Sequence, residues 1–220
     1  MIDWMLAQGI TEPMTLITDY LLAGTSFYAF FLIKRSRNFN SLRSYWMTAF
    51  FALGFAALLG GTSHGFRLFI TDFEKSIIWK LTLFNVFKAS LALSLIFLMQ
   101  VFSGQWMSRI KIILWLKFFI FLFLAVFVSD QFIIAILDYF PALLITGGVS
   151  LKLWLGRNKT YYRYFVLAVG LSFVGAIVQM LKVSLHLHFN HNDIYHIIQI
   201  VALWGFYTGA RNQIEEKLNV

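Results

Sequence analysis

Ile112-Ile113-Leu114-Trp115-Leu116-Lys117-Phe118-Phe119-Ile120-Phe121-Leu122-Phe123-Leu124-Ala125-Val126-Phe127-Val128 carries a single charge, Lys117, in a run otherwise aliphatic and aromatic. A bilayer core takes about 20 such residues per helix. The stretch reads as a transmembrane helix, the shortest in the chain. Working outward, comparable segments lie at 13–33, 45–66 and 77–102 before it and at 132–154, 163–186 and 193–210 after it. The expectation is an all-α integral membrane bundle of seven transmembrane helices, forming one domain over residues 1–220. Short connections predict that sequential helices are antiparallel neighbours. The polar tail from Arg211 to Val220 reads as a short amphipathic end.

Composition supports this reading. Hydrophobic residues make up 60% of the chain and charged residues 13%, about half the charged share usual for a soluble domain. There is no cysteine, which excludes disulfides, thiolate metal sites and cysteine nucleophiles. The net charge of +8 does not point to nucleic acid, because the basic residues sit in short gaps between apolar runs. Most fall in the first, third and fifth connections (Lys34, Arg35, Arg37, Arg43; Arg109, Lys111; Lys152, Arg157, Lys159, Arg163) and in the tail (Arg211, Lys217), while the second and sixth have a few, including Arg67, Lys75 and Lys182. The positive-inside rule then places the N-terminus outside and the C-terminus in the cytoplasm. The first dozen residues are acidic and no small-residue cleavage site follows, so the first segment is expected to remain as a helix.

With that orientation the unusual polar residues collect at the outer face. Glu12, Thr15, Thr18 and Asp19 open the first segment; Thr62, Ser63 and His64 close the second; Asn85 lies in the third and Asp138 in the first half of the fifth. Gln179, His186 and His188 close the sixth, and His191, Asn192, Asp193, Tyr195, His196 and Gln199 open the seventh. Polar groups at membrane depth are costly and mark sites or pathways. Asn192, His196 and Gln199 share a helical face. Asn190, Asn192 and Asp193 also suit a helix cap, which leaves His196 and Gln199 unexplained. Asp19 invites pairing with Lys80 or a histidine. His186 and His188 read as interfacial, and Lys88 and Lys117 as snorkelling side chains.

Three stretches carry a resemblance: Thr11-Glu12-Pro13 through Thr18-Asp19-Tyr20-Leu21-Leu22-Ala23; Gly60-Gly61-Thr62-Ser63-His64-Gly65-Phe66; and Phe189-Asn190-His191-Asn192-Asp193-Ile194-Tyr195-His196-Ile197-Ile198-Gln199. Together they resemble a family of uncharacterised bacterial seven-helix membrane proteins, which implies a bacterial inner membrane. More distantly, the layout is similar to the superfamily of alkaline ceramidases and progestin/adiponectin receptors. That likeness implies zinc held by His64 and His196 by position, with a nearby serine and aspartate. The chain departs from the pattern in having Asn192 four residues before His196, Ser63 adjacent to His64, and no aspartate in the third segment, where Asn85 is the nearest candidate.

The leading expectation is a metal-dependent membrane hydrolase of lipid amide or ester bonds. His64 and His196 would be Zn2+ ligands, completed by His191 or Asp193. Asp19 or Asp138 would act as general base, and Ser63 or Tyr195 would stabilise the oxyanion. Glu12, Asn85, Gln179, Asn192 and Gln199 would line the site. The partner would be a membrane lipid or lipid-like ligand. The rivals are a non-enzymatic sensor or lipid-binding protein on the same fold, a haem electron-transfer protein using His64 and His196, and a transporter or proton pathway using Asp19 and Asp138. The last ranks lower because the polar residues crowd one face.

Overall fold

The computed structural model describes residues 1–36, 40–157, 159–186 and 188–216. Arg37 of the first basic connection, and Lys217 with the rest of the tail, lie outside these residues. The chain is all-helical: α1 (Ile2–Ala7), α2 (Pro13–Lys34), α3 (Ser41–Gly65), α4 (Asp72–Leu98), α5 (Gly104–Phe123), α6 (Phe132–Arg157), α7 (Tyr162–Met180) and α8 (His191–Glu216). A π-helical turn, Leu124–Val128, extends α5. No β-strand occurs among the described residues. The six helices α2 to α7 are long and apolar enough to cross a membrane. That is consistent with a multi-pass membrane protein, in which helices satisfy their own backbone groups. α8 is as long as its neighbours, but its first turns carry His191, Asn192, Asp193, His196 and Gln199, and it falls short of the other six in apolar content.

Local chemistry sets several boundaries. Pro13 occupies the first turn of α2, where its missing N–H costs nothing. Asn40 caps α3 by accepting from Arg43 N at 2.9 Å. α4 starts at Asp72 instead of the expected 77. Thr71 and Glu74 form a capping box there, and this reciprocal bonding recruits an extra turn of polar sequence into the helix. α7 ends at Met180, six residues before the expected end at 186. Beyond it the chain reverses through Lys182, whose φ is 51°, and then through the His186–Phe189 bridge. The tail is helical as far as Glu216.

α2, α3, α4, α6, α7 and α8 pack in that order into a closed ring, because α8 returns to lie against α2 and α4 lies against α6. The expectation that every sequential pair would be neighbours therefore fails at α5. That helix packs on α4, makes little contact with α6, and stands outside the ring. Its span is the least buried of the six, which explains why its sequence is the most uniformly apolar: it has little protein surface to match. Contacts between opposite ends fix the directions. The start of α2 meets the end of α3 at Asp19 and Gly61 and the start of α8 at Thr15 and Asp193. α2 is thus antiparallel to α3 and parallel to α8.

At the end of the ring away from the histidines, Trp46 stacks on Phe165 with centroids 5.4 Å apart and planes 6° apart. Phe97 meets Phe165 edge-on at 4.9 Å. Gly209 lets this aromatic core close, since a Cβ there would sit 2.5 Å from the Phe165 ring. The Trp46 Nε1 donates to Gln213 Oε1 at 2.8 Å, which satisfies the one polar atom the indole brings into the core.

Candidate functional site

The histidine end is built by α2, α3 and α8, and two glycines allow it. A Cβ on Gly61 would lie 2.7 Å from Asp19 Cβ, and one on Gly65 would lie 2.8 Å from Leu16. With hydrogen in place of side chains, α3 slides directly against the face of α2 that carries Leu16 and Asp19. Thr11 ties down the chain before α2: its N–H donates to the Gly65 carbonyl at 3.1 Å and its hydroxyl to the His64 carbonyl.

Below this contact lies a closed polar cluster. His196 Nε2 is 3.3 Å from Asp19 Oδ1, and its Nδ1 is 3.0 Å from Thr18 Oγ1. Asp193, one turn earlier on α8, accepts from Thr15 Oγ1 at 2.9 Å through Oδ1 and from Asn190 N at 2.6 Å through Oδ2. Asn190 in turn accepts from Asn192 N at 2.8 Å. Asp193 thus caps α8 and anchors it to α2 at once. Thr15, Thr18, Asp19, Asp193 and His196 are all buried. Sequence reasoning placed Thr15 and Thr18 at this end without a role. Their signal was present in the three- and four-residue spacing of Thr11, Thr15, Thr18 and Asp19, which puts them on one helical stripe.

Above the cluster the site opens into a cleft of about 480 Å³ lined by Glu12, Ser63, His64, Arg67, Asp72, Lys75, Ser76, Trp79 and Asp130. His64 Nδ1 faces Glu12 Oε1 at 3.2 Å at its edge. The hydrogen bond from His64 holds the Glu12 carboxyl below its ordinary range. Trp79 Nε1 donates to the Asp130 carbonyl at 2.6 Å and braces the far wall. The cleft walls carry both signs of charge. Arg67, Lys75, Asp72, Trp79 and Asp130 were not read from the sequence as site residues, because loop and helix-start charges there look like ordinary interfacial residues.

The remaining expected site residues are more scattered. Ser63 is buried and reaches the cleft wall. Tyr195 packs on Gly175, which would hold a Cβ 3.1 Å from its ring. Gln179 donates to Asn192 at 3.2 Å, and Gln199 accepts from Ser172 at 3.1 Å; both pin α7 to α8. Asn85 donates to its own helix at the Leu81 carbonyl, 2.8 Å away. His191 is the first residue of α8 and is half-buried. Asp138 pairs with Lys117 at 2.8 Å on the α4, α5 and α6 side. Lys117 therefore does not snorkel to the interface. The pairing of Asp19 is with a histidine, not with Lys80.

Among the described residues, no three His, Asp or Glu side chains converge so that they could hold one metal ion. Both ring nitrogens of His196 and both oxygens of Asp193 are already engaged within the protein. His64, His196, His191 and Asp193 do not supply three side chains placed to share one ion.

The chain matches the family of unknown function DUF6962 over residues 14–215 and belongs to that family. No curated protein and no solved structure matches it. These comparisons show no link to the ceramidase and progestin/adiponectin receptor superfamily.

Proposed function

We propose that this DUF6962 member is a non-enzymatic membrane sensor that binds the zwitterionic headgroup of a lipid at the histidine end. In this reading α8 is the seventh span, the histidine end faces outward, and the protein sits in a bacterial inner membrane. The observation that carries the reading is the open cleft, whose lining brings together cationic Arg67 and Lys75, anionic Asp72 and Asp130, and Trp79. Phosphate suits a lysine or arginine. An ammonium group suits a carboxylate and the face of a tryptophan. A headgroup carrying both would satisfy both walls.

The cluster beneath supports a non-catalytic reading. His196, the one deeply buried histidine, is held between Thr18 and Asp19, and Asp193 is held by Thr15 and Asn190. No nucleophile or general base is left aimed into the cleft from that cluster. Its role in this reading is mechanical: it clamps α8 to α2, next to the α3 residues that line the cleft. Occupancy of the cleft would shift that clamp.

The test is thermal stability of detergent-purified protein titrated with glycerophosphocholine and, separately, with short-chain phosphatidylcholine, with product analysis on the lipid arm. A saturable rise in melting temperature with both ligands assigns recognition to the headgroup; a rise with the lipid alone assigns it to the acyl chain as well. Lys75→Ala and Asp130→Asn should abolish the rise. Absence of any saturable rise, or hydrolysis products that disappear in His196→Ala, would overturn the reading.

A further inference from the structure

A second polar site lies outside the histidine end. Asp138 on α6 is 1% exposed, and Lys117 reaches it from α5. The Lys117 Nζ lies 2.8 Å from Asp138 Oδ1, 2.7 Å from the Asp138 carbonyl and 3.0 Å from Ser90 Oγ on α4. Ser90 also donates to that carbonyl at 3.1 Å. Pro141 follows in the same helix; having no N–H, it leaves the Leu137 carbonyl without its usual helical donor. All three ammonium donors are thereby used, yet Asp138 Oδ2 has no protein partner.

Among the described residues four buried hydroxyls are in the same condition. Ser26 lies apart on α2; Ser94, one turn after Ser90 on α4, and Thr146 and Ser150, farther along α6, lie beyond the pair. Each is 1% exposed or less. Hydroxyls inside helices can return to a carbonyl one turn back, as Thr25, Thr48, Thr82 and Thr208 do in this chain. Ser94, Thr146 and Ser150 do not. Steps of four residues keep nearly one face and drift by about 40° each, so the file runs about 18 Å from Asp138 to Ser150 while winding into the ring. Near its far end Gln100, Tyr162, Gln213 and Trp46 form a hydrogen-bonded chain. Toward the histidine end the pair is covered by a buried apolar cluster that includes Leu83, Phe87, Ile134 and Ala135.

We propose that water enters the bundle from the end opposite the histidines along Ser150, Thr146 and Ser94 and reaches Asp138 Oδ2, giving the Asp138–Lys117 pair access to protons from that side only. Buried water takes two to four polar partners, and the file offers hydroxyls about two and three turns beyond Asp138 on α6 and one turn beyond Ser90 on α4. A proton reaches Oδ2 from a water O–H and leaves from the same oxygen to the same file. The apolar cluster prevents net conduction to the histidine end.

The natural absence of cysteine makes the test clean. Single variants Ser94→Cys, Thr146→Cys and Ser150→Cys are reconstituted in vesicles and exposed to a charged methanethiosulfonate; the cysteine thiolate attacks its sulfenyl sulfur and expels methanesulfinate, and forming that thiolate needs water at the site. Ala168→Cys in the dry core, Leu144→Cys on the exposed apolar face and Ile134→Cys in the covering cluster are the controls. The expected result is modification of the three file positions at least about tenfold faster than the controls, from one side of the membrane. In the unsubstituted protein, X-ray radiolysis, which makes radicals from bound water in place, should oxidise the α6 segment around Thr146 more than the α7 segment around Ala168. File positions no faster than the controls, or Ile134→Cys reacting as fast as Thr146→Cys, would overturn the proposal, as would equal oxidation of the two segments.

Discussion

One imidazole bolts α8 to two successive residues of α2: His196 meets Asp19 through Nε2 at 3.3 Å and Thr18 through Nδ1 at 3.0 Å. Removing the ring leaves a buried carboxylate and a buried hydroxyl without that partner. His196→Ala should therefore lower stability by about 1–3 kcal/mol, read as a fall in thermal midpoint in detergent. His196→Asn, which keeps a polar group at the position, should recover part of the loss. Equal losses in the two variants would remove the hydrogen bonds from the explanation.

The α2–α3 contact depends on Gly61 having no side chain. Gly61→Ala would place its Cβ 2.7 Å from Asp19 Cβ, and backbone-borne atoms cannot rotate away. It should cost about 1–3 kcal/mol through overpacking. Gly24→Ala meets nothing within 4 Å and should stay within about 1 kcal/mol of the native protein. Thermal midpoints of the two variants, compared side by side, check this.

How much of this was legible in the sequence differs by feature. Six of the expected segments coincide with helices long and apolar enough to span a membrane, readable because a bilayer requires long apolar runs; the seventh coincides with α8, which falls short of them in apolar content. The ring order was not: nothing in the run 112–128 says that its helix stands outside, except in retrospect its uniform apolarity. Likewise, Asp19, His64, Asp193 and His196 could be gathered to one end from helix directions alone. Their partners could not, because choosing between a metal and a hydrogen-bonded clamp depends on ångström-level facing of side chains. Lys117 looked like a snorkelling residue because adjacency in the chain does not say which side chains meet: its acceptor Asp138 lies on the next helix, α6, which α5 otherwise barely touches.

The Lys117–Asp138 pair gives a sharper energetic test. Lys117→Met leaves a buried carboxylate without its counter-charge and should destabilise by about 3–5 kcal/mol. Pairing it with Asp138→Leu removes the stranded charge and should restore much of the loss. A double-mutant cycle on thermal or chemical unfolding measures the difference, and additive losses would show that the two residues do not act as a pair.

Acid dependence should report on the cleft edge. The Glu12 carboxyl is held below its ordinary value of 4.5 by the hydrogen bond from His64. A depressed carboxylate stabilises the fold above the unfolded-state value, and that contribution disappears as pH falls through the lowered folded-state value. Glu12→Gln should lower stability at neutral pH, where that contribution is fully present, and flatten the decline below about pH 4.5. Melting curves across the acid range of native and variant protein check the sign.

The most direct test of the central claim is short-chain phosphatidylcholine titrated into the purified protein, with binding and lipid integrity read in the same sample. The account predicts a saturable rise in melting temperature, lost in Lys75→Ala and in Asp130→Asn, with the lipid recovered intact. A protein that shows no saturable rise, keeps the rise in both variants, or releases fatty acid in a manner that requires His196 would contradict it.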